Sequence, residues 1–144
     1  MPMPMKPRAQ CLNCGRKVRW PRSKYCGNRC RAEYQYKQFI DEWRVGHVSG
    51  ATAAEVISNH LRRYLVEQFG EKCSRCGWHE RNPVTGKVPI TIDHIDGNWR
   101  NNREENLQLL CPNCHALTPT YMNLNRGKGR TYRRKYEPRK SKSA

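Results

Sequence analysis

The chain has 144 residues, of which 36% are apolar with cysteine counted, so one ordinary domain or two very small ones are possible and a large hydrophobic core is excluded. Lys and Arg number 28 against 12 Asp and Glu, a net charge of +16 that favours a polyanionic partner, above all nucleic acid. No apolar run approaches the ~20 residues of a membrane span, so no membrane contact is expected and the chain reads as soluble and cytoplasmic.

In chain order, residues 1–10 are Pro-rich and expected to be disordered. The opening Met-Pro-Met-Pro is no signal peptide. The eight Cys fall into two quartets, Cys11/Cys14/Cys26/Cys30 and Cys73/Cys76/Cys111/Cys114. Three Cys-x-x-Cys pairs and one Cys-x3-Cys are zinc spacings, because neighbouring turns can deliver two thiolates to one tetrahedral ion. A disulfide framework is the other reading of eight Cys, and the lack of a secretory apolar segment before Cys11 weighs against it. Two structural Zn²⁺ ions are therefore expected.

Cys11 to Cys30 reads as a small knuckle, with Gly15 at the tight turn after Cys14. Tyr34, Phe39, Ile40 and Trp43 then stand at mixed helical spacing, which predicts a helix over 31–43 and an N-terminal zinc knuckle and helix over 1–45. Gly46 and Gly50 mark a break. Thr52-Ala-Ala-Glu55 has the form of a capping box and predicts the start of an apolar-periodic helix through Val56, Ile57, Leu61, Tyr64, Leu65 and Phe69, with Gly70 as its stop. Residues 46–70 are thus read as a linking amphipathic helix, its stripe serving as core.

From Cys73 a second knuckle leads into a polar loop, Arg81 to Lys87, with Asn-Pro and Thr-Gly turn signals. Val88 to Ile92 reads as a short edge strand despite Pro89. The Asp96–Glu105 loop is rich in Gly, Asn and Arg, and Leu107 to Leu110 reads as a second strand. Pro112 suits the first turn of a helix that Pro119 should end. Residues 71–125 are expected to form one zinc-tied unit. Residues 126–144, with nine Lys/Arg against Glu137 alone, are expected to be a basic, disordered tail.

The chemistry-bearing set lies in that third segment. Asp93 and His94 stand side by side in Ile92-Asp-His-Ile-Asp-Gly-Asn98, Asn106-Leu107 follows the loop, and Cys111-Pro-Asn-Cys114-His115 closes it. A divalent metal attacking a phosphodiester needs a hard oxygen ligand, a neutral imidazole base and a second ligand brought back by a turn. His115 could instead be a zinc ligand or a bystander, but four Cys already complete the quartet. Asp96, Asn98, Asn101 and Asn102 read mostly as turn formers. Arg100 and Arg103 either touch phosphate or belong to a solvated loop. His47, His60 and His79 have no partner pattern. Trp20, Trp78 and Trp99 could stack on bases, although Trp78, beside a knuckle, reads as packing.

Taken together, residues 73–115 resemble the HNH endonuclease family, whose fold is the ββα-metal unit. The wording Asp93-His94-Ile-Asp-Gly-Asn98, with Asn101-Asn102 and Asn106-Leu107, is most similar to phage-encoded and intron-encoded homing members. The resemblance implies an α+β fold: a small zinc-stabilised ββα-metal unit preceded by an N-terminal zinc knuckle and helices. It implies a metal-dependent DNA endonuclease, in a phage setting acting in the host cytoplasm, with duplex DNA as partner and no small-molecule cofactor. His94 would be the general base, and Asp93 and His115 would hold one Mg²⁺ or Mn²⁺. Asn106 would hydrogen-bond the loop and orient His94. Arg100, Arg103, Arg126, Lys128, Arg130, Arg133, Arg134 and Lys135 are the expected nucleic-acid contacts. One departure is that many members carry a Lys shortly after the final His, whereas Ala116-Leu-Thr-Pro119 stands here. The competing readings are a zinc-dependent nucleic-acid-binding module that no longer cuts and a phage packaging accessory. Target sequence, nick versus double-strand break, RNA versus DNA and oligomeric state are not readable from the residues.

Overall fold

The computed structural model describes residues 9–125 and 127. It divides into two compact units, with the division between Val48 and Ser49. None of the described helices is long and apolar enough to cross a membrane. The expected tail contacts Arg126, Lys128, Arg130, Arg133, Arg134 and Lys135 lie outside the described residues, as do residues 1–8 and the rest of the expected basic tail.

In the first unit Ala9 and Gln10, which fall within the segment expected to be disordered, are paired. The Ala9 carbonyl accepts from the Val18 amide at 3.0 Å, and Gln10 pairs with Lys17 in an isolated antiparallel bridge. Buried Val18, Cys11 and Cys30 form a small core, with Tyr25 and Cys26 packed against it. Helix α1, Asn28–Arg44, starts three residues before the predicted 31–43, so Cys30 falls in its first turn. Its Tyr36, Ile40 and Trp43 are buried at spacings of four and three, the period of one helix face.

The second unit opens with a correction. Thr52-Ala-Ala-Glu55 does not start a helix: Thr52 and Glu55 close a tight turn, Glu55 sits at φ 57°, and Ala51 pairs with Ile57. Helix α2 is Asn59–Phe69, and its N-cap is Ser58, whose buried hydroxyl accepts from the Leu61 amide at 3.1 Å. Both sites carry a capping residue, but only Ser58 is followed directly by residues that bury, Leu61, Tyr64 and Leu65. Gly70 ends the helix as expected, with a positive φ of 79° that a side chain would resist.

The hairpin also departs from expectation at its start. The first strand, β1, is Thr91–His94 rather than 88–92. Pro89 cannot donate to a ladder, and the Ile90 amide turns back to the Val88 carbonyl at 2.8 Å, so pairing begins only after it. Strand β2 is Leu107–Leu110 as read. The two run antiparallel, with Thr91 opposite Leu110 and His94 opposite Leu107. Helix α3, Pro112–Ala116, follows with Pro112 in its first turn. Helix α2 packs on β2, and α3 packs against both strands. Leu61, Leu65, Leu109 and Leu110 are wholly buried, each contributing ~1.5–3 kcal/mol by burial. Two α2 side chains reach the hairpin's ends: Arg62 donates to the Ile90 carbonyl, and the Tyr64 hydroxyl donates to the Glu104 carboxylate at 3.1 Å.

The two candidate caps give different expected costs. Ser58→Ala should lower stability to urea by about 1 kcal/mol, and Thr52→Ala by less than about 0.5 kcal/mol, the usual surface range. Equal losses in equilibrium unfolding would show that α2 is capped elsewhere.

Candidate functional site

Two thiol clusters frame the chemistry. Within each, the four Sγ atoms lie within 4.8 Å of one another. The Sγ–Sγ separations are 3.6 Å for Cys14–Cys26, 3.4 Å for Cys26–Cys30 and 3.8 Å for Cys76–Cys111. A tetrahedron of sulfurs around zinc at about 2.3 Å has edges of about 3.8 Å, so both clusters could hold zinc. Acidity points the same way. The Arg16 guanidinium, 3.5 Å from Cys14 Sγ, holds that thiol down to about 6, while hydrogen bonding to Cys30 and Cys14 pushes Cys26 up to about 12. In the second cluster burial works against the Cys73 thiolate, but backbone amides of Cys111, Cys76 and Arg75 outweigh it and bring the thiol to about 6. Burial and the neighbouring thiols push Cys114 up to about 12. Protons are thus shared unevenly among sulfurs too close to ionise together, and a bound dication removes that conflict.

The second cluster is placed where it can hold the hairpin shut. Cys73 and Cys76 precede β1, while Cys111 caps α3 and Cys114 lies within it. Cys73, Leu110, Cys111 and Cys114 bury together, with Trp78 packed against them, the structural part read for that Trp. The Ser74 amide donates to the Leu109 carbonyl at 2.7 Å, so the knuckle leans on β2 itself.

His115, next to Cys114, is carried by α3 to the face of β1. Its Nε2 lies 3.6 Å from Asp93 Oδ1, and its ring stands edge-on to Tyr121 at 5.1 Å. Asp93 is buried, and Gln108, its cross-strand partner, donates to its other oxygen at 2.9 Å. A carboxylate oxygen and an imidazole nitrogen 3.6 Å apart could converge on one hard cation, whose octahedral neighbours at about 2.1 Å stand about 3.0 Å apart. The two atoms are too far apart to satisfy each other by a hydrogen bond.

His94, the last residue of β1, is buried beside Asp93 in sequence but engages different partners. Its Nε2 is 2.8 Å from Asn102 Oδ1. An amide oxygen only accepts, so in this orientation of Asn102 the imidazole hydrogen is assigned to Nε2. The ring contact is made by Asn102, a buried residue that reads from the sequence as a turn former. Asn106 hydrogen-bonds the loop, as expected. Its Oδ1 accepts from the Asp96 amide, and its Nδ2 donates to Asp96 Oδ1 at 2.9 Å and to the Asn101 carbonyl at 2.7 Å. Asp96 gathers further donors from Asn98 and Asn101; burial alone would raise its pKa, but these bonds hold the carboxyl below its ordinary value.

Gly97 completes the lock. It is buried at φ 71°, and a Cβ there would come within 2.6 Å of Asn125 Oδ1 and 2.7 Å of Thr120 Cγ2. Asn125 Nδ2 donates to the Gly97 carbonyl at 2.7 Å. Arg100 and Arg103 are exposed, with Arg100 stacked over Trp99 at 5.0 Å. The structure therefore brings together Asp93 with His115, and His94 with Asn102, while Arg100 and Arg103 remain on the surface of the loop.

Known proteins share this segment. Residues 73–117 match the HNH endonuclease family. The chain carries an HNH domain. The match begins at the first thiol of the second cluster and ends two residues beyond His115, so Asp93, His94, Asn102, Asn106 and His115 all fall within it. The chain is also 47% identical over 60 residues to the H-N-H endonuclease F-TflIV of Escherichia phage T5. That stretch is 40% of this chain and 24% of the relative, so the chain spans about a quarter of that protein's length. No solved structure matches the chain. The α+β architecture read from the sequence, with an antiparallel two-stranded hairpin, helices and two four-Cys clusters, is the one observed.

Two measurements check the frame of the HNH domain. Native mass spectrometry should find about two zinc ions per chain, one per tetrathiolate, falling to about one in Cys73→Ser or in Cys11→Ser; retention of both ions by either variant would contradict the assignment. Gly97→Ala should lower stability by more than about 1 kcal/mol, because a positive φ and the close approach of the Asn125 and Thr120 side chains act together. Unchanged urea unfolding would mean that the loop yields freely.

Proposed function

We propose that the chain is a metal-dependent DNA endonuclease acting through its HNH domain. The observation that carries this is the pairing of Asp93 Oδ1 with His115 Nε2 at 3.6 Å beside a separately anchored His94. One side-chain pair is free to hold a cation, and the adjacent imidazole is held by other bonds, which is the division of labour that phosphodiester hydrolysis needs.

Asp93 and His115 would hold a Mg²⁺ or Mn²⁺ ion. Held there, such an ion would supply Lewis-acid polarisation of a phosphate and charge stabilisation for the leaving oxygen. His94 would act as general base. With its Nε2–H donating to Asn102, the lone pair stands on Nδ1, so the imidazole takes a proton from water without first exchanging tautomers. Asn102 is thus a positioning residue for His94. Asn106 would act one step further out, holding the 96–101 loop from which Asn102 follows. Gln108 would keep Asp93 turned toward His115 by occupying its second oxygen. Duplex DNA is the proposed substrate, supported by the family match and by the chain's +16 charge. Arg100 and Arg103 are proposed phosphate contacts, as are the tail residues from Arg126. The phage relative supports a phage setting, and a homing role within it belongs to the same proposal.

The experiment is plasmid cleavage in Mg²⁺ by zinc-loaded chain. His94→Ala should lower the rate by roughly 10²–10⁴-fold, the usual worth of a positioned base, with DNA binding unchanged. Asp93→Ala and His115→Ala should shift the divalent-ion requirement upward, so that high Mn²⁺ restores part of the rate. Asn102→Ala should cost roughly tenfold or more, while Asn102→Asp, which keeps the accepting oxygen, should retain more activity. Near wild-type nicking by His94→Ala would remove His94 from the mechanism and with it the proposal.

A further inference from the structure

The positive charge of this chain is not where the HNH domain is. Residues 49–125 hold eight Lys/Arg and eight Asp/Glu, an even balance, whereas residues 9–32 hold seven Lys/Arg and no acidic residue at all. Within the first unit this charge surrounds a cavity of about 320 Å³ lined by Arg19, Trp20, Lys24, Tyr25 and Arg31, with Cys26 of the thiol cluster at its wall. Arg16 is engaged with that cluster, 3.5 Å from Cys14 Sγ and 3.9 Å from Cys26 Sγ, so the zinc-side charge is answered locally. Arg19, Lys24 and Arg31 line the cavity itself.

Trp20 is the unusual member. It is 64% exposed, a large apolar surface that folding has not buried, and the Arg19 guanidinium lies over its ring at 5.4 Å. A guanidinium stacked on an indole makes a flat, cationic platform. Clefts for small ligands run from ~300 to 1,000 Å³, and the volume here suits one nucleotide-sized group. Cations for a phosphate and an aromatic face for a base are the two components by which proteins hold unpaired nucleotides. A paired base inside a duplex offers its edge, not its face, so a cavity with an exposed indole face favours a base that has left the stack.

We infer that the cavity between Trp20 and Arg31 binds one unpaired nucleotide of a nucleic-acid strand, Arg19, Lys24 and Arg31 meeting the phosphates and Trp20 meeting the base. This site stands in the unit that lacks the HNH domain, and its occupation does not require cleavage. It would give the protein a second hold on its substrate, at a single-stranded stretch or a distorted duplex.

The test uses the full zinc-loaded chain carrying His94→Ala, without added Mg²⁺, and fluorescence anisotropy of a labelled single-stranded 12-mer and the matching blunt duplex. Trp20→Ala should weaken single-strand binding roughly tenfold, within the range for one stacked base, with little change on the duplex. Arg19→Ala with Lys24→Ala should flatten the plot of log affinity against log salt for the single strand by about 1.4, or ~0.7 per lost phosphate contact. Zinc content is measured in each variant, and Trp20→Phe, which keeps a stacking face, should recover most of the affinity if the fold is intact. Unchanged single-strand affinity in Trp20→Ala overturns the inference. So does an equal loss on both DNA forms, which would make the patch a general electrostatic surface, and so does displacement of the oligonucleotide by poly-glutamate at equal charge concentration. Because the readout is binding by a chain already deprived of His94, its failure is separate from any failure of the nuclease proposal.

Discussion

The second thiol cluster is the constraint on which the HNH domain depends. A hairpin of two four-residue strands is marginal in water by itself. Here Cys73 and Cys76 stand before the first strand and Cys111 and Cys114 after the second, so one ion held by the four thiols would close both ends of the hairpin at once. That closure also sets the geometry beyond the cluster. His115 follows Cys114 in a five-residue helix, and a helix this short has no direction of its own apart from what anchors it. With Cys111 and Cys114 tied down and α3 packed on both strands, the imidazole of His115 is delivered to Asp93. A zinc ion held there would supply no chemistry of its own; it would bring His115 to Asp93.

A second layer of order is built from amides. The loop between the strands is held by hydrogen bonds from Asn106, Asp96, Asn98 and Asn101 rather than by apolar burial. Such a network is satisfied in one arrangement only, so it suits a loop that must present a side chain at a fixed angle. Asn102 projects from the end of that network to His94. The rigidity of the histidine is therefore inherited from the loop, and the loop's from Asn106.

Much of this was legible from residues alone. The thiol spacings, the second strand, the Pro112 start of α3 and the adjacency of Asp93 with His94 were readable because each depends on local chemistry at fixed spacing. The failures have a common cause, that two sites offered the same local signal and tertiary burial chose between them. Thr52 and Ser58 both can cap a helix, but only after Ser58 do the buried Leu61 and Leu65 follow. Pro89 stood inside an apolar run, and the strand formed beyond it, where amides were available for pairing. Asn102 reads as a turn former, and nothing in sequence says that the loop will fold it back onto His94. The cavity beside Trp20 was beyond reach for another reason: seven cations and an indole in 24 residues announce charge, but a concave surface exists only once Cys11 to Cys30 has closed.

The bond from Asn125 to the Gly97 carbonyl bears on where the folded HNH unit ends. The family match stops at residue 117, at the last turn of α3, yet the segment from Thr118 to Asn125 wraps back to brace the loop on the far side of the hairpin. A fragment cut at the family boundary would keep every proposed ligand and base and lose the strut that steadies them. The portable unit, the piece that could be moved between proteins and still work, is longer than the piece that is recognisable by similarity.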